Sequence, residues 1–305
     1  MRRYFQLQFL IIKRKLNDFG LNPILGFFLT LFVFLALSIY LFSKTKFAAY
    51  IFILVALGFV SKLSNKKRND FLKSVYSFST YIIMRMLENS IIALPFIIFL
   101  IYKQLYVPVL ILVSITMLMA IVNINSTYNY TIPTPFYKKP FEFTVGFRNT
   151  FYLFFFAYFL ALIAVSVSNF NLGGFALLFI FFVSYSFYSK PENEYYVWSF
   201  SKPPNEFLSE KIKIALIHST ILNFPVLVIL GIFFLHEINT TLLLTVSGYV
   251  YLITIILAKY SAYPNEMNLP QGILIGISLL FPPVLIVIIP FFYFQSTKRL
   301  NNILE

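Results

Sequence analysis

The chain has 305 residues, of which 59% are hydrophobic and 11% charged, with mean hydropathy +0.82 and formal charge +13. Soluble domains carry about 25% charged residues, so this composition excludes that class, together with disordered, collagen-like and coiled-coil chains. It points to an all-α polytopic membrane protein. Cysteine is absent, which excludes disulfides, thiolate metal sites and cysteine nucleophiles.

Residues 1–22 open with five basic residues, and Phe5, Phe9, Ile12 and Leu16 recur at helical spacing. This predicts an amphipathic N-terminal helix lying on the inner membrane surface. Lys13, Arg14 and Lys15 interrupt the apolar run and no small-residue cleavage site follows, so a removable signal peptide is not expected. Apolar runs suited to about eight transmembrane helices lie at 23–43, 46–61, 90–105, 107–124, 150–168, 173–189, 217–235 and 240–258. A ninth apolar block, Ile273 to Phe294, contains Pro282-Pro283 and Pro290. It is either one broken span or two half-helices forming a re-entrant hairpin.

Orientation follows from lysine and arginine. With the N-terminus inside, the inner segments hold 19 basic residues and the outer loops three, Lys44, Lys46 and Lys103. The expected location is the cytoplasmic (inner) membrane, multi-pass, with a cytoplasmic N-terminus. Lys298 and Arg299 in the tail favour a cytoplasmic C-terminus and, with it, the hairpin.

Two inner segments resemble each other. Asn69-Asp70-Phe71-Leu72 and Asn205-Glu206-Phe207-Leu208 share Asn-[Asp/Glu]-Phe-Leu, and each leads through Glu88 or His218 to a proline seven residues on, Pro95 or Pro225. The expected organisation is an internal repeat. The N-terminal helix spans 1–22; a first half, 23–125, contains an inner element at 62–88. A second half, 126–271, contains an inner element at 190–216, and 272–305 forms a terminal apolar block with a basic tail. Asn followed by an acid reads as a helix start. Phe71-Leu72 and Phe207-Leu208 would then be exposed early in each inner helix, suited to a groove on a soluble partner. The competing reading is that Phe71 and Phe207 anchor an interfacial helix among the headgroups.

With its basic amphipathic start and two inner elements running into proline-containing spans, the chain resembles the permease subunit of ABC-type exporters whose single chain carries two similar halves. It departs from the commonest members in having only short outer loops. The resemblance implies that Asn69, Asp70, Phe71, Leu72 and Tyr76, with Trp198, Asn205, Glu206, Phe207, Leu208 and Lys211, couple to a separate cytoplasmic ATPase, itself a dimer. ATP and Mg would sit on that partner, and this chain would bind no cofactor. Membrane lipid and a further permease copy are the other expected partners, and nucleic acid is not one.

The remaining chemistry is sparse. No GxxxxGK[ST] loop is present, so ATP hydrolysis is not expected of this chain. His218 and His236 fall at opposite ends of one span, and Asp18 and Asp70 form no acidic pair. An enzyme acting on lipid is therefore disfavoured. Arg85 and Glu88, three apart, form an expected inner-boundary ion pair. Glu192 and Glu194 read as a solvated loop, Lys259 as a snorkelling span end. Asn123, Asn125 and Asn223 read as caps or helix–helix contacts. The expectation is a hydrophobic or amphipathic substrate driven by an external ATPase. The alternative is a non-transporting membrane scaffold or assembly factor recruiting a cytoplasmic partner.

Overall fold

A computed structural model describes residues 1–122, 132–136 and 142–304; Asn123, Asn125 and the expected boundary at 125 lie outside them. The chain divides into two compact units, Met1–Tyr130 and Thr131–Glu305, and every regular element among the described residues is helical.

Unit one contains α1 (Arg2–Asp18), α2 (Pro23–Lys44), α3 (Ala48–Leu63), α4 (Lys66–Val75), α5 (Phe78–Tyr102) and α6 (Tyr106–Leu118). Helix α1 ends in a Schellman turn: Leu21 N–H donates to the Leu16 carbonyl and Gly20 N–H to that of Asn17. Gly20, at φ 90°, supplies the left-handed residue this turn needs. Asn22 then caps α2 by accepting from Ile24 N–H, and Pro23 takes the first helical position, where its missing N–H costs nothing. Phenylalanines build the core of α2, α3, α5 and α6, with Phe52 4.8 Å from Phe96 and 5.4 Å from Phe99. A second, smaller cluster of Tyr4, Leu72, Tyr81 and Met84 joins α1, α4 and α5.

Unit two contains α7 (Glu142–Ser166), α8 (Phe170–Ser186), α9 (Glu194–Trp198), α10 (Pro204–Phe233), α11 (Ile238–Ala262), α12 (Leu269–Leu280) and α13 (Leu285–Leu304). Small residues let its helices approach. Ala157, Ala161 and Ala164 on α7 are fully buried beside Ala176 on α8, and a Cβ at Gly248 would lie 2.5 Å from the Phe181 ring. Two hydrogen bonds define the path of the terminal block. Tyr251 on α11 donates to the Ser278 carbonyl at 2.6 Å, and Ser296 on α13 donates to the Leu257 carbonyl at 2.8 Å. Along α12 the chain therefore runs away from the C-terminal end of α11, and along α13 it runs back. The reversal is at Pro282-Pro283, so the two half-helices form a hairpin.

Helices α2, α5, α7 and α10, and α11 with its preceding turn, are long and apolar enough to cross a membrane. The runs expected at 46–61, 107–124 and 173–189 fall on helices of 16, 13 and 17 residues, shorter than the roughly 20 of a perpendicular crossing. The inner elements also differ from expectation. Residues 205–218 are no separate surface helix but the first half of the 30-residue α10. In the first element the chain breaks at Tyr76-Ser77 between α4 and α5.

Candidate functional site

At the basic-rich end of unit one, five helices converge on three charged side chains. The Arg68 guanidinium on α4 pairs with the Glu88 carboxylate on α5. The same Glu88 oxygen accepts from Tyr4 of α1 at 2.5 Å, and Arg68 donates to the Tyr4 hydroxyl at 2.5 Å. Burial, then the bond to Glu88, pushes the Tyr4 phenol up to about 12. Arg85, fully buried, approaches Glu88 at 3.7 Å, the expected ion pair. Its Nη2 also reaches Ser64 Oγ at 2.9 Å and the Met119 carbonyl at 3.3 Å, tying α5 to the ends of α3 and α6.

Unit two has a larger cluster of two carboxylates and two ammonium groups. Lys211 Nζ on α10 lies 2.9 Å from Glu142 Oε1 on α7 and 2.8 Å from Glu192 Oε1 in the segment after α8. Lys259 Nζ on α11 lies 2.7 Å from Glu192 Oε2 and 3.4 Å from Glu142. Tyr260 donates to Glu192 Oε1 at 2.9 Å, and Tyr263 donates to the Glu192 carbonyl at 3.1 Å. Formal charge cancels, as it must where water is excluded. The rings of Phe200 and Phe207 lie 5.4 and 5.6 Å from Lys211 Nζ, and those of Tyr188 and Tyr260 lie 5.3 and 5.2 Å from Lys259 Nζ. Burial alone would raise the Glu192 carboxyl. The charges of Lys259 and Lys211 beside it outweigh that cost, holding the group well below the usual carboxylate range.

The sequence-predicted residues divide between exposed and buried positions. Phe71 is 66% exposed on α4, with Asp70 beside it at the surface. Asn69 is buried and Leu72 packs into the Tyr4–Tyr81 cluster; Tyr76 is half-buried, its ring 6.4 Å from that of Tyr4. Asn69 does not start its helix, because Asn65 is the cap, accepting from Arg68 N–H. Nor does Asn205 cap α10, which begins at Pro204 after Pro203; Asn205 instead accepts from the Tyr293 hydroxyl at 3.1 Å. Glu206 is exposed in the first turn of α10, where it complements the helix dipole. Phe207 and Leu208 are corrections: at 1% and 0% exposure they are core residues and present nothing to a partner. Phe207 faces inward because its ring packs edge-on against Phe200 and Tyr260. Lys211 likewise belongs to the buried cluster. Trp198 is 58% exposed on α9, next to exposed Tyr195.

Glu192 and Lys259 overturn the solvated-loop and snorkelling readings, since the Glu192 side chain is only 11% exposed and Lys259 is buried. Glu194 is exposed, as a loop acid would be. Asn223 is buried in mid-α10 and donates to Ser219 of its own helix, so it is no cap, and among the described residues it bonds to no neighbouring helix. Sequence reasoning missed Glu142 altogether. The available signal was the scarcity of acids: 11 in 305 residues, with Glu142 placed where a span begins and Lys259 where one ends. No protein-family model, curated protein or solved structure matches the chain, so the site is read from its own chemistry.

Proposed function

We propose that the chain is the membrane-embedded permease subunit of an ABC-type exporter, moving a hydrophobic or amphipathic substrate across the cytoplasmic membrane with energy from a separate dimeric ATPase. The observation that carries this reading is α4. Its outer side offers Phe71 and Val75 at 66% and 56% exposure, while Arg68 on the same helix is bound to Glu88 of the long apolar α5. A partner that grips Phe71 thereby acts on α5 through an ion pair rather than through a flexible loop. In unit two the equivalent contact falls to the exposed aromatics of α9, Tyr195 and Trp198, because Phe207 is buried. ATP and Mg belong to the partner, and this chain does not hydrolyse nucleotide itself.

In this reading the shorter helices α3, α6 and α8 cross beside their longer neighbours, giving eight spans. The α12–α13 hairpin enters and leaves on the inner side, so both termini are cytoplasmic.

The test is affinity purification of the full chain in mild detergent, with mass identification of co-eluting proteins. The expected result is an ATPase whose recovery is lost with Phe71→Asp and Trp198→Asp, both exposed positions. Phe207→Asp, by contrast, damages the fold itself. A reproducible partner that is not an ATPase moves the assignment to a membrane scaffold or assembly factor. Undiminished ATPase recovery with both surface variants refutes the docking assignment.

A further inference from the structure

Helix α1 lies beside the start of α2, a helix long and apolar enough to span a membrane. Phe9 stacks on Phe27 with ring centroids 5.9 Å apart, and the Leu16 side chain comes within 3.0 Å of where a Cβ at Gly26 would stand. Helix α1 thus runs at the level where an amphipathic helix meets headgroups. Its first turn is tied to α4. Tyr4 packs with Leu72, its ring is 6.4 Å from that of Tyr76, and its hydroxyl accepts from Arg68 Nη2 at 2.5 Å. Arg68 Nη1 donates to the Leu63 carbonyl at 3.1 Å and so draws in the end of α3.

These contacts bring basic residues of three helices to one corner of unit one: Arg2 and Arg3 at the start of α1, Lys66 and Lys67 at the start of α4, and Lys62 at the end of α3. All five are exposed, and none takes part in the ion pairs among the described residues. The neighbouring acids do not cancel them. Glu88 is shared between Arg68 and Arg85, so the trio beneath is itself cationic, and Asp70 on α4 is a single exposed acid. Four to eight basic residues gathered on an amphipathic helix or beside a span are the pattern that attracts anionic headgroups. The apolar residues select a lipid over a soluble anion. Leu7, Leu10 and Ile11 follow Arg3 on one face of α1, at helical spacings of three and four, and all three are exposed. A soluble phosphate would leave them in water, whereas acyl chains cover them.

We propose that this corner of unit one is a binding surface for anionic phospholipid. Headgroup phosphates sit on Arg2, Arg3, Lys66 and Lys67, and acyl chains lie against Leu7, Leu10 and Ile11. This assignment rests on the membrane setting of unit one, and not on the docking of an ATPase.

The test is native mass spectrometry of the full chain, delipidated in detergent and titrated with phosphatidylglycerol, phosphatidylethanolamine or soluble glycerol phosphate. Wild type retains phosphatidylglycerol at least tenfold better than phosphatidylethanolamine, which has the phosphate but no net charge. Two double variants remove charge from exposed positions on one helix each: Arg2→Gln with Arg3→Gln, and Lys66→Gln with Lys67→Gln. Each lowers phosphatidylglycerol retention at least tenfold, at about fivefold per charge, and leaves phosphatidylethanolamine retention and the thermal midpoint unchanged. Lys44→Gln with Lys46→Gln, at the opposite end of α2, changes neither lipid. Equal retention of the two lipids by wild type, unchanged phosphatidylglycerol retention in either double variant, or an equal loss in the Lys44–Lys46 control overturns the proposal. Displacement by glycerol phosphate at the concentration of the lipid assigns the patch to a soluble phosphate and overturns the lipid assignment. The readout contains no ATPase, so its outcome is separate from that of the co-purification experiment.

Discussion

Replacing Lys211 by Met removes the one ammonium that contacts both carboxylates of the unit-two cluster closely, at 2.9 and 2.8 Å. Methionine fills nearly the same volume, so the change isolates charge from packing. What remains is Lys259, 2.7 Å from Glu192 but 3.4 Å from Glu142, facing two buried acids with one positive charge. Breaking a buried pair by removing one partner costs about 3–5 kcal/mol. A kcal/mol is worth roughly 2–4 °C for a domain of about this size, so the thermal midpoint should fall by about 6–20 °C. The exposed pair Arg14–Asp18, 3.8 Å apart on α1, provides the control: Arg14→Met should cost no more than about 1 kcal/mol. The assay is thermal unfolding in detergent followed by size-exclusion chromatography. Adding Glu192→Gln to Lys211→Met leaves one acid against one lysine, and this double variant should recover at least half of the lost stability. A Lys211→Met midpoint within the shift of Arg14→Met, or a double variant worse than the single, refutes the account of the cluster as a charge-balanced tie.

The raised Tyr4 phenol favours the protonated folded state, so its stabilisation is complete below pH about 10 and is lost between about 10 and 12. The difference absorbance of wild type against Tyr4→Phe should show a phenol titrating near 12; ionisation at the ordinary value would contradict the Tyr4–Glu88–Arg68 contact. Gly248→Ala should cost about 1–3 kcal/mol, because its Cβ meets a rigid ring at 2.5 Å, whereas Gly58→Ala, with nothing within 4 Å, should be neutral or slightly stabilising. Equal effects in thermal unfolding would contradict the packing argument. The natural absence of cysteine allows single-cysteine labelling: Asn302→Cys should react from the same side of a membrane vesicle as Lys15→Cys, and Lys103→Cys from the other. Labelling of Asn302→Cys from the Lys103 side would contradict the hairpin.

Helices were legible wherever one physical signal dominated. Pro282-Pro283 removes two backbone donors, and the chain does turn there; Asn22-Pro23 marks the start of α2 as cap and first-turn proline should. Boundaries set by competition were not legible. Asn69 and Asn205 both resemble caps, yet Asn65 and the Pro203-Pro204 pair lie upstream and start their helices earlier. Phe71 and Phe207 share a local motif, but exposure depends on neighbours distant in sequence: Phe207 meets Tyr260, whereas Phe71 on α4 stays 66% exposed. Glu192 carries the same lesson. Two prolines' worth of polar loop around it suggested solvent, and only the arrival of Lys211 and Lys259 from two other helices makes burial of its carboxylate tolerable.

The hairpin of α12 and α13 has a mechanical corollary. Helix α12 has 12 residues and, at 1.5 Å per residue, is about 18 Å long, little more than half of the roughly 30 Å hydrocarbon core. The tip of the hairpin is greasy, with Leu280 of α12 89% exposed and Ile286 and Val287 of α13 79% and 69% exposed. Set in a bilayer as a re-entrant pair, the two helices would displace lipid from one leaflet and leave the other leaflet to close over their apex. The hairpin then takes up area in the leaflet it enters and little in the other.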